Sequence, residues 1–300
     1  MGAGEMNNIT ERIEEIRIDK LHGASWLSRS AVEVMRLAAK ESKVSTIDGF
    51  LAELTEIAKS LMASRPSMAS ITNCVSRLVY EVSERSKEEK ELSLLRDFTV
   101  AKADEIVRDS KRATLKVVEM GADLIEEGDR IMTCSYSSTV CQTFEMAKNK
   151  KRSFKVLIAE SVGSGGRKYG KITADELEKY GIRTEIILDD AIRDDISRVN
   201  EVLVGADSIL ADGSLINGAP TNKLALVAKE RNVPLYSICE MNKFDLRGHL
   251  ELEEGFDLIP SRLITGIITE EGMIKPNEVL DCVKEVDKYV RVFTNITGEE

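Results

Sequence analysis

Apolar residues recur three and four positions apart through the first 128 residues, and beyond Gly128 the repeat shortens. In "NNITERIEEIRIDKL", Ile9, Ile13, Ile16 and Leu21 fall on one helical stripe, with Thr10 placed to cap its start. After Gly23 the pattern resumes in "SWLSRSAVEVMRLAAKE" through Leu27, Ala31, Val34, Met35 and Ala38, and Ser25 is the expected N-cap. "STIDGFLAELTEIAKSLMAS" repeats it through Phe50, Leu51, Leu54, Ile57 and Leu61. Pro66 in "SRPS" interrupts it, because proline has no amide hydrogen to give a helix. A charged amphipathic stretch covers roughly 94–127, and no strand is expected before Ile131.

From Gly128 short apolar runs alternate with helical spacing. The runs are "RIMTC", "FKVLIAES", "RTEIILDD", "EVLVGADSILAD", "PLYSICE" and "RLITGIITEEG". Between them, "SSTVCQTFEMAKNKK", "TADELEKYG" and "TNKLALVAKERN" have helical periodicity and end in glycine, asparagine or basic residues. Alternating β and α elements with continuous apolar strands predict a parallel sheet covered on both faces, an α/β fold. The division is a helical domain over 1–127 and a sheet domain over 128–300. Ligands of such sheets bind beyond the carboxyl ends of the strands. Here those ends read "TCSYSS", "ESVGSGGRK", "DDAI", "ADG…NGAPTN" and "CEMNKF".

Composition narrows the classes. The chain is 42% hydrophobic and 31% charged, with a net charge of −10 and a pI near 5.1, so a broad nucleic-acid-binding surface is not expected. The one basic run, "KNKKR" at 148–152, reads as a solvated helix end. No apolar stretch approaches the roughly 20 residues of a membrane span, and the start of the chain lacks the apolar core of a secretion signal. Cys74, Cys134, Cys141, Cys239 and Cys282 are scattered without a CxxC, which suits reduced thiols in a cytoplasm. Only His22 and His249 are present, so neither a zinc site nor any other metal centre is expected, and no cofactor. Cys74, Cys239 and Cys282 fall in apolar segments and read as core residues.

One long segment carries a resemblance. "VLVGADSILADGSLINGAPTNKLALVAKERNVPLYSICEMNKF" (202–244) resembles the translation initiation factor 2B alpha/beta/delta-like family, whose relatives include ribose 1,5-bisphosphate isomerase and methylthioribose-1-phosphate isomerase. Further pieces agree in order: "GASWLSRSA", "SRPSMASITN", "ESVGSGGRKYGKITADELEKYGI" and "TGIITEEGMIKP". The resemblance covers nearly the whole chain. It implies a helical N-terminal domain followed by a Rossmann-like C-terminal domain, and a homodimer or larger homo-oligomer built through the C-terminal half. It also implies a phosphorylated small molecule as ligand, a sugar phosphate or nucleotide, and raises a translation factor as a partner.

The isomerase members resemble one another in a turn reading T-H-C, whose cysteine works with the aspartate of a G-A-D sequence to move hydrogen between C1 and C2 of a phosphorylated sugar. Asp207 stands at the aspartate position. Aligning Thr133 with the motif threonine puts Cys134 on the histidine and Ser135 on the cysteine. Sliding by one, to pair Cys134 with the cysteine, is disfavoured beside a strand end, where neighbouring side chains point to opposite faces. Serine is a poor replacement, because its hydroxyl is far less acidic than a thiol. Three cations of the isomerase pattern are also replaced, by His22, Val162 and Gly218.

The remaining candidates for ligand contact are Gly23, Ala24, Arg65, Ser137, Gly166, Arg167, Asn217, Thr221 and Lys243. Asn217 and Thr221 serve either a ligand or the turn and the helix after it. Lys243 reaches either a phosphate or Glu240; Arg65 holds either an anion or a structural partner. Lys168 accompanies Arg167 in a Gly-rich loop suited to exposing amides to an anion, and His22 reads as a packing or capping residue. Two readings follow. The preferred one is a regulatory or assembly protein that binds a phosphorylated small molecule and lacks the isomerase cysteine. The other is an aldose–ketose isomerase acting on ribose 1,5-bisphosphate, with Asp207 and either Ser135 or Cys134.

Overall fold

The computed structural model describes residues 3–245, 247 and 252–282; His249 and the end of the expected sheet domain, 283–300, lie outside the described residues. The chain forms two compact units, one reaching Arg112 and one covering Ala113–Cys282. The division falls inside a helix, before the change of pattern at Gly128.

The first unit contains α1 (Ala3–Ile18), α2 (Ala24–Glu41), α3 (Ile47–Ser64), α4 (Ala69–Glu88) and the first part of α5 (Leu92–Leu124). The first helix begins before the expected cap, in the helix-forming "AGEM", so Thr10 is an interior residue rather than a cap. Ser25 is likewise inside α2. Gly23 is the N-cap, in extended conformation at φ −80° and ψ 166°, and its carbonyl accepts the amides of Trp26 and Leu27. Thr46 caps α3, its side chain accepting from the Gly49 amide at 3.2 Å. The break at Pro66 separates α3 from α4 as the sequence predicts. Leu27, Met35, Phe50, Leu54, Leu61, Ile71 and Leu78 are buried among these helices, each contributing about 1.5–3 kcal/mol of transfer free energy.

The second unit opens with the end of α5, β1 (Arg130–Thr133), α6 (Ser138–Asn149), β2 (Lys155–Ala159), α7 (Tyr169–Lys179) and β3 (Arg183–Ile187). There follow a single turn α8 (Ile192–Asp195), β4 (Glu201–Val204), β5 (Ser208–Leu210) and β6 (Leu215–Gly218). The last part runs through α9 (Thr221–Glu230), β7 (Leu235–Ile238), β8 (Phe244–Asp245), β9 (Phe256–Ile259), β10 (Gly266–Thr269) and β11 (Gly272–Ile274). Seven strands form one sheet in the order β11-β10-β7-β4-β1-β2-β3, parallel except for the β10–β11 hairpin. Val156, Leu157, Ile158, Val202, Leu203 and Val204 are all buried, as expected of strands covered on both faces.

A second, four-stranded sheet in the order β8-β5-β6-β9 was not expected. The run "EVLVGADSILAD" is two strands in different sheets: β4 ends at Val204, and Gly205–Asp207 carry the chain into β5. Continuous apolar character does not show such a break. The basic run at 148–152 ends α6; Lys150 pairs with Asp123 at 2.6 Å, and Arg152 Nη1 donates to the Ala122 and Ile125 carbonyls at the end of α5. These contacts complement the carbonyl end of a helix. No described helix is long and apolar enough to cross a membrane.

Candidate functional site

Parallel pairing of β1, β2, β3 and β4 brings their carboxyl ends together, and the small polar residues there interlock. Just past β1, Ser135 has φ 60°, and just past β2, Ser161 has φ 54°. Left-handed backbone is unfavourable for residues with a Cβ and persists where the surroundings fix it. Here the fixing groups are visible. The Ser135 amide donates to Ser161 Oγ at 2.7 Å, and the Thr173 hydroxyl of α7 donates to the Ser135 carbonyl at 2.7 Å. Ser161 Oγ donates to the Ala159 carbonyl at 3.0 Å. Asp189, past β3, accepts the amides of Ser161 at 2.8 Å and Val162 at 3.2 Å.

Thr221, at the start of α9, is the hub of the neighbouring cluster. Its hydroxyl donates to the Gly218 carbonyl at 2.6 Å and accepts from Asn217 Nδ2 at 2.9 Å. Cys134 Sγ lies 3.1 Å from the same oxygen. Asn217 and Thr221 thus stabilise the β6–α9 turn and tie it to the end of β1. Burial, and behind it the charges of Asp257 and Asp189, push the Cys134 thiol up to about 12, against a lowering by the Thr221 hydrogen bond.

Two glycines permit this close approach. A Cβ on Gly205 would stand 2.6 Å from Ser137 Oγ and 3.8 Å from Asn217 Oδ1. A Cβ on Gly218 would collide with Ser135 Oγ, which fills that space. Ser137 is the N-cap of α6, its side chain accepting from the Val140 amide at 3.3 Å. Asp207 is half-buried in the connection from β4 to β5, its amide donating to the Ile216 carbonyl at 2.9 Å. The exit of β6 therefore carries Ser135, Ser137, Gly205, Asn217 and Thr221 as one contiguous group.

The other candidates stand elsewhere. Lys243 is 2% exposed, with Nζ 3.4 Å from Glu240 Oε2, and Glu240 Oε1 accepts the Thr114 hydroxyl at 2.5 Å. Gly166 and Arg167 lie on an exposed turn, Gly166 at φ 76° and Arg167 accepting the Gly163 amide through its carbonyl at 2.8 Å. Gly23, Ala24 and Arg65 belong to the helical unit. There Arg65 Nη1 donates to the Asp19 carbonyl at 3.0 Å, and the Ala24 carbonyl accepts Ser70 Oγ at 3.3 Å. His22 stacks on Trp26 at 3.8 Å with Nδ1 2.7 Å from Asp19 Oδ2, a packing role. Cys74, Cys141 and Cys239 are buried, whereas Cys282 is half-exposed. Among the described residues no group of His, Cys, Asp and Glu is arranged to hold a metal.

Sequence reading missed Ser161, Thr173, Asp189 and Asp257, which hold this site together. The signal for Asp189 was present in its position directly after an apolar run. Nothing local marked Thr173, whose partner is 38 residues away in the chain.

Comparison with known proteins places this architecture. Ribose 1,5-bisphosphate isomerase of Pyrococcus furiosus is 31% identical, over 95% of this chain and 96% of its own length. A putative translation initiation factor eIF-2B subunit 2-like protein of Pyrococcus horikoshii is 32% identical, over 89% of this chain and 96% of its own length. The crystal structure of the translation initiation factor eIF-2B of Pyrococcus horikoshii OT3 superposes with a TM-score of 0.78 at 29% identity, over 91% of this chain and 98% of that one. Residues 20–254 match the model of the Initiation factor 2 subunit family, and the chain belongs to that family.

Proposed function

We propose that this protein binds a small phosphorylated molecule, a sugar phosphate or a nucleotide, at the exits of its parallel sheet, and that it does so without isomerising it. The observation that carries the second half is the state of Cys134. A hydroxyl has one proton, and the Thr221 hydroxyl directs its own to Gly218, so the 3.1 Å contact requires Cys134 to be the donor. A thiol held protonated, buried and pushed up to about 12 is neither a nucleophile nor an exchangeable acid near neutral pH. The position expected of the cysteine holds Ser135.

The first half rests on the half-buried Ser137 and Asp207, brought beside Gly205 and the turn that Asn217 and Thr221 brace, in the place where parallel sheets bind ligands. A regulatory or assembly role, a cytoplasmic homo-oligomer and a translation-factor partner belong to the same reading. The isomerase reading has its own support, since a relative covering nearly the whole chain carries that name and Asp207 is retained.

Thermal unfolding with ribose 5-phosphate, ribose 1,5-bisphosphate and AMP as probes tests the binding claim. A ligand that binds only the folded state stabilises it by RT ln(1 + [L]/Kd), so Tm keeps rising with concentration above Kd. A concentration-dependent rise, reduced in Ser137→Ala and in Asp207→Ala, is expected. No rise with any of the three contradicts it.

A further inference from the structure

Asn217, next to last in β6, is bonded at one end of its amide only. The residue is 6% exposed, and its Nδ2 donates to Thr221 Oγ1 at 2.9 Å. Its Oδ1 has no hydrogen-bond partner among the described residues. That oxygen lies 3.8 Å from the point a Cβ on Gly205 would take, and Ser137 Oγ lies 2.6 Å from the same point.

The neighbours dictate which way this amide faces. Thr221 Oγ1 directs its one proton to the Gly218 carbonyl at 2.6 Å, and its two lone pairs take the Asn217 amide and the Cys134 thiol. Turning the amide over would set Oδ1 against an oxygen with no proton left to give. The Asn217 carbonyl is therefore held away from Thr221 as a buried acceptor without a donor, and such an acceptor is costly to leave unmet.

The register of the small sheet sets what stands beside it. β5 and β6 pair Ser208 with Ile216, and the Asp207 amide donates to the Ile216 carbonyl at 2.9 Å, so Asp207 is opposite Asn217. On the other side, β9 pairs Asp257 with Asn217. Directly opposed residues of antiparallel strands carry their side chains on one face, about 5 Å apart, so Asp207, Asn217 and Asp257 form a row. Asp257 Oδ2 accepts the Asn222 amide at 3.0 Å. Asp207 and Asn217 Oδ1 are then adjacent acceptors, and a carboxylate accepts more than one bond. Two neighbouring hydroxyls of a sugar are the complementary donors. A phosphoryl group, itself an acceptor, does not suit this row. The amides of Ser138 and Thr139, first in α6 and next to Ser137, have no partner among the described residues and suit that end of a ligand.

We propose that Thr221 is a positioning residue, which holds the Asn217 amide so that Oδ1, beside Asp207, reads the vicinal 2- and 3-hydroxyls of a ribose. This rests on the reading that the strand exits bind a phosphorylated small molecule, and it names the sugar edge as the part recognised.

Isothermal titration of the full chain with ribose 5-phosphate and its 2-deoxy-2-fluoro and 3-deoxy-3-fluoro analogues tests it, on the wild type, Thr221→Val and Thr221→Ser. Fluorine is close to a hydroxyl in size but has no proton to donate. The wild type is expected to bind at least one analogue about tenfold more weakly than ribose 5-phosphate. Thr221→Val frees the amide to turn and donate to fluorine, so that preference is expected to shrink to about twofold. Thr221→Ser keeps the hydroxyl and is expected to retain it. A merely structural change would weaken all three ligands alike and leave the ratio in place, so an unchanged ratio in Thr221→Val overturns the proposal. Equal binding of all three ligands by the wild type also overturns it, and leaves the phosphate-binding reading intact. This outcome is read on the unmodified protein, so a variant that fails to fold does not shield the proposal. Binding of none of them overturns the proposal, and failure of AMP to bind as well overturns the reading beneath it.

Discussion

Cys134 Sγ and Thr221 Oγ1 lie 3.1 Å apart in a space closed to solvent, joining the end of β1 to the start of α9. The thiol belongs to the packing of the turn. In the native protein at pH 8, Cys134 is expected to resist iodoacetamide, as are Cys74, Cys141 and Cys239, while the half-exposed Cys282 is modified first. Peptide mass mapping reads the order. Stoichiometric modification of Cys134 ahead of Cys282 would contradict the assignment.

Ser135 keeps its left-handed backbone through Ser161 and Thr173. Removing the acceptor in Ser161→Ala leaves the Ser135 amide without its partner, which costs about 1–3 kcal/mol. Thr173→Val removes a single neutral bond and costs about 1 kcal/mol. Because both bonds fix the same residue, the double variant is expected to lose less than the sum. Urea unfolding of the four proteins measures it, and strict additivity would show that the two bonds act independently.

Glu201 opens β4 at the end of the sheet opposite the site, 7% exposed, and its Oε1 has no hydrogen-bond partner among the described residues. Burial, then the nearby charges of Asp129 and Glu126, push its carboxyl up to about 7. Between the ordinary carboxylate value of 4.5 and about 7 the folded state holds a proton that the unfolded state has released. Stability contributed by the protonated group is therefore present at low pH and lost as pH rises through about 7. At pH 8, Glu201→Gln is expected to be more stable than the wild type by about 3 kcal/mol at most, with the difference gone near pH 4. Chemical denaturation across pH 4–9 checks both the sign and the window.

Lys243 and Glu240 form a buried pair, and breaking such a pair leaves an uncompensated charge. Lys243→Ala is expected to lower stability by about 3–5 kcal/mol. A lysine whose work was to hold a ligand phosphate would give little change in the unliganded protein, so the unfolding free energy without ligand separates the two roles.

The helices and the strands of the large sheet were legible because their burial has a period: Leu27, Ala31 and Ala38 along one helix face, Val202–Val204 buried on both sides. The second sheet was not, because β5, β6 and β9 are short and two of them follow directly on turns. That Asp207 follows a strand and Thr221 opens a helix was legible from the apolar runs around them. The carboxylates that hold the turns at the strand ends were not legible. Asp189 bonds amides 28 and 27 residues away, and Asp257 one 35 residues away, distances at which sequence carries no local signal. The cap assignments at Thr10 and Ser25 failed for a simpler reason: both residues suit a cap chemically, but the helices begin earlier.

The central claim is that the site binds without isomerising, and the direct measurement is conversion of ribose 1,5-bisphosphate to ribulose 1,5-bisphosphate followed by phosphorus NMR. No turnover above the uncatalysed rate is expected from the wild type, with or without AMP. Robust turnover that disappears in Asp207→Asn would contradict the account and place the chemistry on Asp207 with Ser135.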